Sequence, residues 1–281
     1  MKWITRRRPK IDRVACPWLI ARFIDEQPEF LFVAPDDVIL HAEKTGATPF
    51  DVEGVELSHE GPLCSFDAFL AKYSLGEDGS VVRRRANHLR QHWHGPARRR
   101  RRIARLRASL RARQRNAHHA CRRGGHMKWI TRRRPKIDRV ACPWLIARFI
   151  DEHPDFLFVA RDDVIPHAEK TGAIPFDVEG VELSHEGPLC SFDAFLAKYS
   201  LGENIALQTI ATIVRGADTD RLDLAPQAAG LLAISLGLSA MFDDDLVQLQ
   251  HGFVMYDALY AWCRHASTET HTWNPQRRVT S

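Results

Sequence analysis

The sequence predicts an α+β fold, a small β-sheet from the first half of a domain covered by a layer of helices from the second half. Three observations carry this. Short apolar runs (128–131, 156–159, 174–178) alternate with helical segments. From Asn204 onward the pattern is helix after helix. Residues 1–77 and 127–203 are one sequence written twice, offset by 126 positions and differing only at Gln27/His153, Glu29/Asp155, Pro35/Arg161, Leu40/Pro166 and Thr48/Ile174, and only the second copy runs on into those helices.

In order along the second copy, Lys128–Thr131 reads as a first strand, followed by the basic turn RRRPK. Pro143 suits the first turn of a helix running through Phe149 and Ile150, with Trp144, Leu145 and Ile146 on its apolar face. Phe156–Val159 is a second strand. Asp162–Lys170 is helical, capped by Asp162 or Asp163 and stopped by Gly172. Ile174–Val178 is a short third strand, and Ser191 opens a helix through Tyr199 whose Ser-Phe-Asp start supplies an oxygen acceptor for free amides. Three helices follow, Ile205–Val214, Pro226–Leu238 and about Asp244–Arg264, carrying most of the remaining apolar residues.

The domain organisation expected is a truncated copy of the first half (1–77), an Arg-rich disordered linker (78–126), a whole domain (127–265) and a disordered tail (266–281). Near-identity over 77 residues marks a recent duplication, since solenoid repeats recur at roughly 20 to 50 residues. Met127 heads the second copy as Met1 heads the first, so 127–281 reads as a protein with its own start. The first copy lacks the helical layer and is expected to expose the faces that layer covers, and so to be poorly ordered, to swap or to aggregate.

The formal charge of +5 misleads: the segment 78–126 holds 16 Arg and a single acid, and the rest of the chain carries 24 basic and 34 acidic residues, a net of −10. That segment reads either as an out-of-frame product of GC-rich DNA or as a natural basic linker, disordered in both cases. It can attract polyanions, including nucleic acid, without sequence preference. The six cysteines reduce to Cys142, Cys190 and Cys263 in the second copy, with no CxxC spacing, which argues against a disulfide framework. The start lacks the apolar stretch of a secretory signal, and the longest apolar run, Ala228–Phe242, falls short of the roughly 20 residues a membrane span needs. A soluble cytoplasmic protein is expected.

Cys142, preceded by five cations and followed by Pro143, reads as a thiol at a helix N-terminus, where a lowered pKa and free amides suit anion or redox chemistry. A buried structural cysteine is the alternative. His185 and Cys190 share the loop SHEGPLCSFD. With a carboxylate such as Asp218 they offer metal-ligating groups, although the spacing matches no zinc pattern. In RGADTDR, Arg215 and Arg221 are fork-shaped donors suited to a tetrahedral dianion or to buried carboxylates.

Four stretches, KWITRRRPKIDRVACPWLIARFID, PFDVEGVELSHEGPLCSFDAFLAKY, IVRGADTDRLDLAPQAAGLLAISLGLS and HGFVMYDALYAWCR, together resemble the C-terminal domain of the bacterial chromate resistance protein ChrB family. The likeness runs through residues 127–265 and, for its first half, 1–77. It implies a cytoplasmic protein of chromate resistance operons that senses chromate or a similar oxyanion and regulates a chromate efflux transporter. Some relatives have been described as superoxide dismutase-like, which implies a redox metalloenzyme using iron or manganese as the alternative. Longer members carry an added N-terminal domain thought to bind DNA, a place taken here by the half copy and the basic segment. The polar positions carried over are Asp138, Arg139, Cys142, Arg148, His185, Cys190, Arg215, Asp218, Asp220 and Arg221. Of these, Arg139, Cys142, Arg148, Arg215 and Arg221 are the expected anion ligands, and His185, Cys190 and Asp218 the expected metal ligands. Whether the domain is catalytic, the identity of any cofactor and the oligomeric state stay open.

Overall fold

A computed structural model describes residues 1–75 and 127–265. The expectations for the Arg-rich segment and for the tail lie outside the described residues. The chain divides into two compact units, Met1–Ala112 with His271–Ser281, and Arg113–Thr270.

The first unit contains β1 (Lys2–Arg6), α1 (Asp12–Leu19), β2 (Glu29–Val33), α2 (Val38–Thr45), β3 (Thr48–Pro49) and α3 (Ser65–Lys72). The second repeats these as β4 (Lys128–Arg132), α4 (Asp138–Leu145), β5 (Asp155–Val159), α5 (Val164–Thr171), β6 (Ile174–Pro175) and α6 (Ser191–Lys198). It then adds α7 (Ile205–Asp218), α8 (Ala228–Met241) and α9 (Asp245–His265). Among the described residues no helix is long and apolar enough to cross a membrane.

The sheet of the second unit is parallel, with β4 between β5 and β6. Parallel pairing demands crossovers, and α4 and α5 supply them. Successive strand side chains point to opposite faces, so Trp129 joins the large core of α4, α6, α7 and α9 while Ile130 joins the smaller cluster of Val164, Ala168, Ala173 and Val178. An α+β fold with a helical layer on a small sheet is the result.

The structure departs from expectation at α4 and β6. α4 begins at Asp138, so Pro143 lies inside it and Cys142 is interior to the helix rather than at its mouth. β6 stops at Pro175 because Asp177 turns the chain at φ 51°, a left-handed conformation that aspartate tolerates better than most residues. α6 has the oxygen acceptor expected of its Ser-Phe-Asp start: with Cys190 as the cap residue, the Asp193 carboxylate takes the Cys190 backbone N–H at 3.0 Å.

The two copies form a built-in control for the helical layer. Residues 1–75 form the first-half elements around Trp3, Leu19, Ile20, Phe50 and Phe69. What they lack is cover. Ile11, Val14 and Trp18 are 64, 57 and 52% exposed, whereas their equivalents Ile137, Val140 and Trp144 are 6, 1 and 0% exposed.

The difference is made largely by α9. Trp144 stacks on Tyr256 at 5.7 Å between ring centroids and donates its indole N–H to Asp257 Oδ1 at 2.9 Å. Arg148 grips the same carboxylate with two hydrogen bonds of 2.8 Å. The helices approach closely at Gly252, where an added Cβ would lie 2.3 Å from Val140 Cγ1.

Gly252→Ala is therefore expected to destabilise the second unit. Overpacking a buried, branched neighbour costs about 1–3 kcal/mol, which outweighs the roughly 1 kcal/mol that alanine gains in helix propensity. A lowered urea midpoint for this variant is the expected result; a raised midpoint would show that α9 does not seat on α4 as described.

Candidate functional site

The site forms where the first half of the domain meets α7. Asp138 is the first residue of α4, Asp177 follows β6, His185 lies in the loop before α6, and Asp218 ends α7. The backbone leading into Asp138 is unusual. Arg134 has φ 58° and Ile137 has φ 34°, and positive φ at a β-branched residue is strained.

The second-half helices hydrogen-bond to that turn, which the first copy repeats without them at Arg8 (φ 59°) and Ile11 (φ 23°). Gln248 Nε2 donates to the Pro135 carbonyl at 2.6 Å and the Tyr256 hydroxyl to that of Ile137 at 3.4 Å. The Arg134 backbone N–H reaches Asp245 at 3.1 Å, and its guanidinium reaches the Ser239 carbonyl at 2.8 Å.

His185 Nε2 stands 3.1 Å from Asp218 Oδ2, 3.3 Å from Asp177 Oδ1 and 3.5 Å from Asp138 Oδ2. Ser191 orients two of these carboxylates, its backbone N–H donating to Asp138 Oδ2 at 2.7 Å and its hydroxyl to Asp177 Oδ1 at 2.9 Å. The remaining oxygen of Asp177 takes Arg132 at 2.8 Å and Arg139 at 3.1 Å. One donor atom each from Asp138, Asp177 and His185 lies within 4.8 Å of the others. The first copy repeats the group as Asp12, Asp51 and His59, but its first-half sequence stops before a counterpart of Asp218.

Like charges at such proximity move the protons. Burial and the neighbouring Asp218 and Asp177 hold the Asp138 carboxyl well above the ordinary range. Burial and Asp177 also raise Asp218. Burial opposes the charge of Asp177, yet His185, Arg132, Arg139 and Ser191 together bring it down to about 2. The bond to Asp177, against partial desolvation and with the fields of Asp138 and Asp218, pushes the His185 imidazole up to about 9. Protonated His185 thus acts as the local counter-ion of a carboxylate nest.

Beside the nest lies an open depression of about 390 Å³ lined by Arg132, Arg133, Arg134, Lys136, Arg139 and Arg161, with Ala160 completing it. Arg132 and Arg139 belong to both features, gripping Asp177 while lining the depression. Arg161 is one of the five positions that differ between the copies, replacing Pro35.

The residues expected from sequence separate accordingly. Arg139 lines the depression, and His185 and Asp218 belong to the nest. Arg148 is committed to Asp257, Arg215 to Asp193 through bonds of 2.9 and 2.8 Å, and Arg221 to Asp223 at 2.9 Å. These three arginines are not brought together with Arg139. Cys142 is fully buried, and burial together with Asp138 pushes its thiol well up rather than down. Cys190 is likewise buried and raised, and it serves as the cap of α6 instead of joining His185.

Asp177 was not singled out from the sequence, whereas Arg132, Arg133, Arg134, Lys136 and Arg139 are the five cations read before Cys142. The available signal was Asp177 at the end of the run IPFD, where a chain leaving a parallel strand delivers side chains to the carboxyl edge of the sheet.

The fold and site define an α+β domain with a buried aspartate–histidine nest opening beside a cationic rim. The family model described as "ChrB, C-terminal domain" matches residues 3–119 and again 129–263, so the chain belongs to this family and matches it twice. It is similar to "Protein ChrB" of Cupriavidus metallidurans, 33% identical over 152 residues that cover 54% of this chain and 42% of that protein. The chain thus spans less than half the length of this relative. No solved structure matches.

The folded-state value of His185 lies above the ordinary 6.5 of imidazole, so its contribution to stability is complete below that pH and is lost as pH rises through about 9. A proton NMR titration should find this imidazole still charged at pH 7.5, and Asp218→Asn should lower its midpoint. Titration near the ordinary value in the unmodified chain would contradict the carboxylate nest.

Proposed function

We propose that the chain acts in chromate resistance, its second unit binding chromate or a similar tetrahedral oxyanion as a sensing module tied to regulation of efflux. The observation that carries this reading is the depression whose lining supplies six cations and no carboxylate. A dianion there meets fork-shaped arginine donors suited to paired oxygens, and a surface carrying one sign of charge raises its local concentration.

Among the described residues, the side chains of Arg133 and Lys136 donate no hydrogen bond to a carboxylate, leaving them available to an incoming anion. Arg132 and Arg139 are anchored by Asp177 and form the fixed wall.

The thiols argue for chromate as ligand rather than as oxidant of the protein. Thiolate is the reactive form, and Cys142, Cys190 and Cys263 all have thiols pushed above their ordinary range by burial. Non-specific nucleic acid binding through residues 78–126 remains a separate partner reading, resting on the 16 arginines of that segment and outside the described residues.

A second reading, a redox metalloenzyme of dismutase type, is favoured by one observation, the convergence of Asp138, Asp177 and His185. Its ligands would be aspartates in place of Cys190.

Calorimetric titration of the full chain with chromate and with sulfate, at several salt concentrations, tests the main reading. The double variant Arg133→Ala, Lys136→Ala is expected to weaken binding about tenfold, from two exposed charges worth up to about 1 kcal/mol each. The Arg-rich segment is untouched by these changes. Unchanged affinity in the double variant would remove the depression as the anion site.

A further inference from the structure

We propose that Asp138, Asp177 and His185 bind a single divalent cation of the manganese(II) class, with the Asp218 carboxylate supporting the site through its contact with His185. The inference rests on the second reading above, for which it supplies the ion, and its test involves no oxyanion.

Geometry is the first support. Metal–oxygen and metal–nitrogen bonds near 2.1 Å place neighbouring ligand atoms about 3 Å apart. Here the three carboxylate oxygens lie 3.1, 3.3 and 3.5 Å from His185 Nε2. Asp138, Asp177 and His185 come from the start of α4, the turn after β6 and the loop before α6, and one ligand atom from each lies within 4.8 Å of the others, so their convergence is not local sequence geometry.

An independent observation comes from the far oxygen of Asp138. The residue is 1% exposed, and its Oδ1 atom has no hydrogen-bond partner although Oδ2 is held by Ser191. A buried carboxylate oxygen without a donor is costly, and a cation seated against the nest neutralises it.

The surroundings hold the ligands in place. Ser191 fixes one oxygen on each of Asp138 and Asp177, while Arg132 and Arg139 fix the other oxygen of Asp177. Outer hydrogen bonds of this kind orient ligands and tune a metal site. The cation takes the place of the proton on His185 Nε2, which leaves to solvent, and the three carboxylates around it then outnumber the two guanidinium groups of Arg132 and Arg139.

The donor set selects the class. Carboxylate oxygens with one imidazole suit manganese, iron(II) or magnesium, whereas thiolate would select zinc or copper(I). Cys190 stands apart, at the N-terminus of α6. The His185 side chain is 38% exposed, so the site has a path to solvent.

The first copy is an internal comparison, since Asp12, Asp51 and His59 repeat the three ligands without the Asp218 carboxylate that α7 places 3.1 Å from His185 Nε2. One tight and one weak site per chain are therefore expected.

Manganese(II) titration of the metal-stripped full chain, followed by loss of the free-ion EPR signal, tests the proposal with no activity assay. One equivalent should bind tightly and raise the Tm. Asp218→Asn should weaken the tight site at least tenfold while far-UV circular dichroism remains unchanged. Cys190→Ser should leave it unaltered. Absence of a tight equivalent, full affinity in Asp218→Asn, or loss of affinity in Cys190→Ser would each overturn the assignment. Neither chromate nor sulfate is present, so failure here is distinguishable from failure of the oxyanion reading.

Discussion

The seating of α9 on α4 is the constraint from which the rest of the second unit follows. α4 is apolar on one side and chemically loaded at its start, so a single helix carries both Val140 and Trp144 into the core and Asp138 and Arg139 into the site. Gly252 lets the two backbones approach, and Asp257 accepts from both Trp144 and Arg148. The same contact adds hydrogen bonds from Gln248 and Tyr256 to the turn before Asp138. The turn itself is set by the first half alone, since Arg8 and Ile11 repeat it at φ 59° and 23° without α9 and Asp12 still accepts from the Ser65 backbone N–H at 3.0 Å.

The site places opposite demands on its charges. Burying Asp138 and Asp218 beside Asp177 is unfavourable for all three carboxylates, and the structure answers with His185 on one side and Arg132 and Arg139 on the other. Those arginines also face the open depression, so the anchored wall of a cationic rim and the outer shell of a carboxylate nest are the same two side chains. Occupancy of one feature must be felt electrostatically at the other, because the charges are only a side chain apart.

Much of the fold was legible in the sequence because its signals are local. Gly172 closes α5 in the left-handed conformation, and the three long helices of the second half were readable from their apolar content. Pro143 misled, because proline favours a first turn while tertiary packing here carries the helix through it from Asp138. That shift moved Cys142 from a helix mouth into the core. The site was only half legible for a different reason. His185 and Asp218 stood out as polar residues in loops or beside charge-rich runs, but the arginines competed for roles that only the fold assigns: Arg148, Arg215 and Arg221 each meet an aspartate 2 to 109 positions away. Asp177 carried no motif of its own, and its importance lies in a turn that brings it to three cations.

Duplication makes the central claim open to an unusually direct measurement. Residues 12–24 and 138–150 are identical in sequence, so protease digestion after hydrogen–deuterium exchange yields one mass for two helices in different surroundings. If α7 to α9 cover only the second copy, that peptide should show two isotope envelopes of equal population, one exchanging fast and one protected. A single envelope at every exchange time would contradict the account, placing both helices in the same environment.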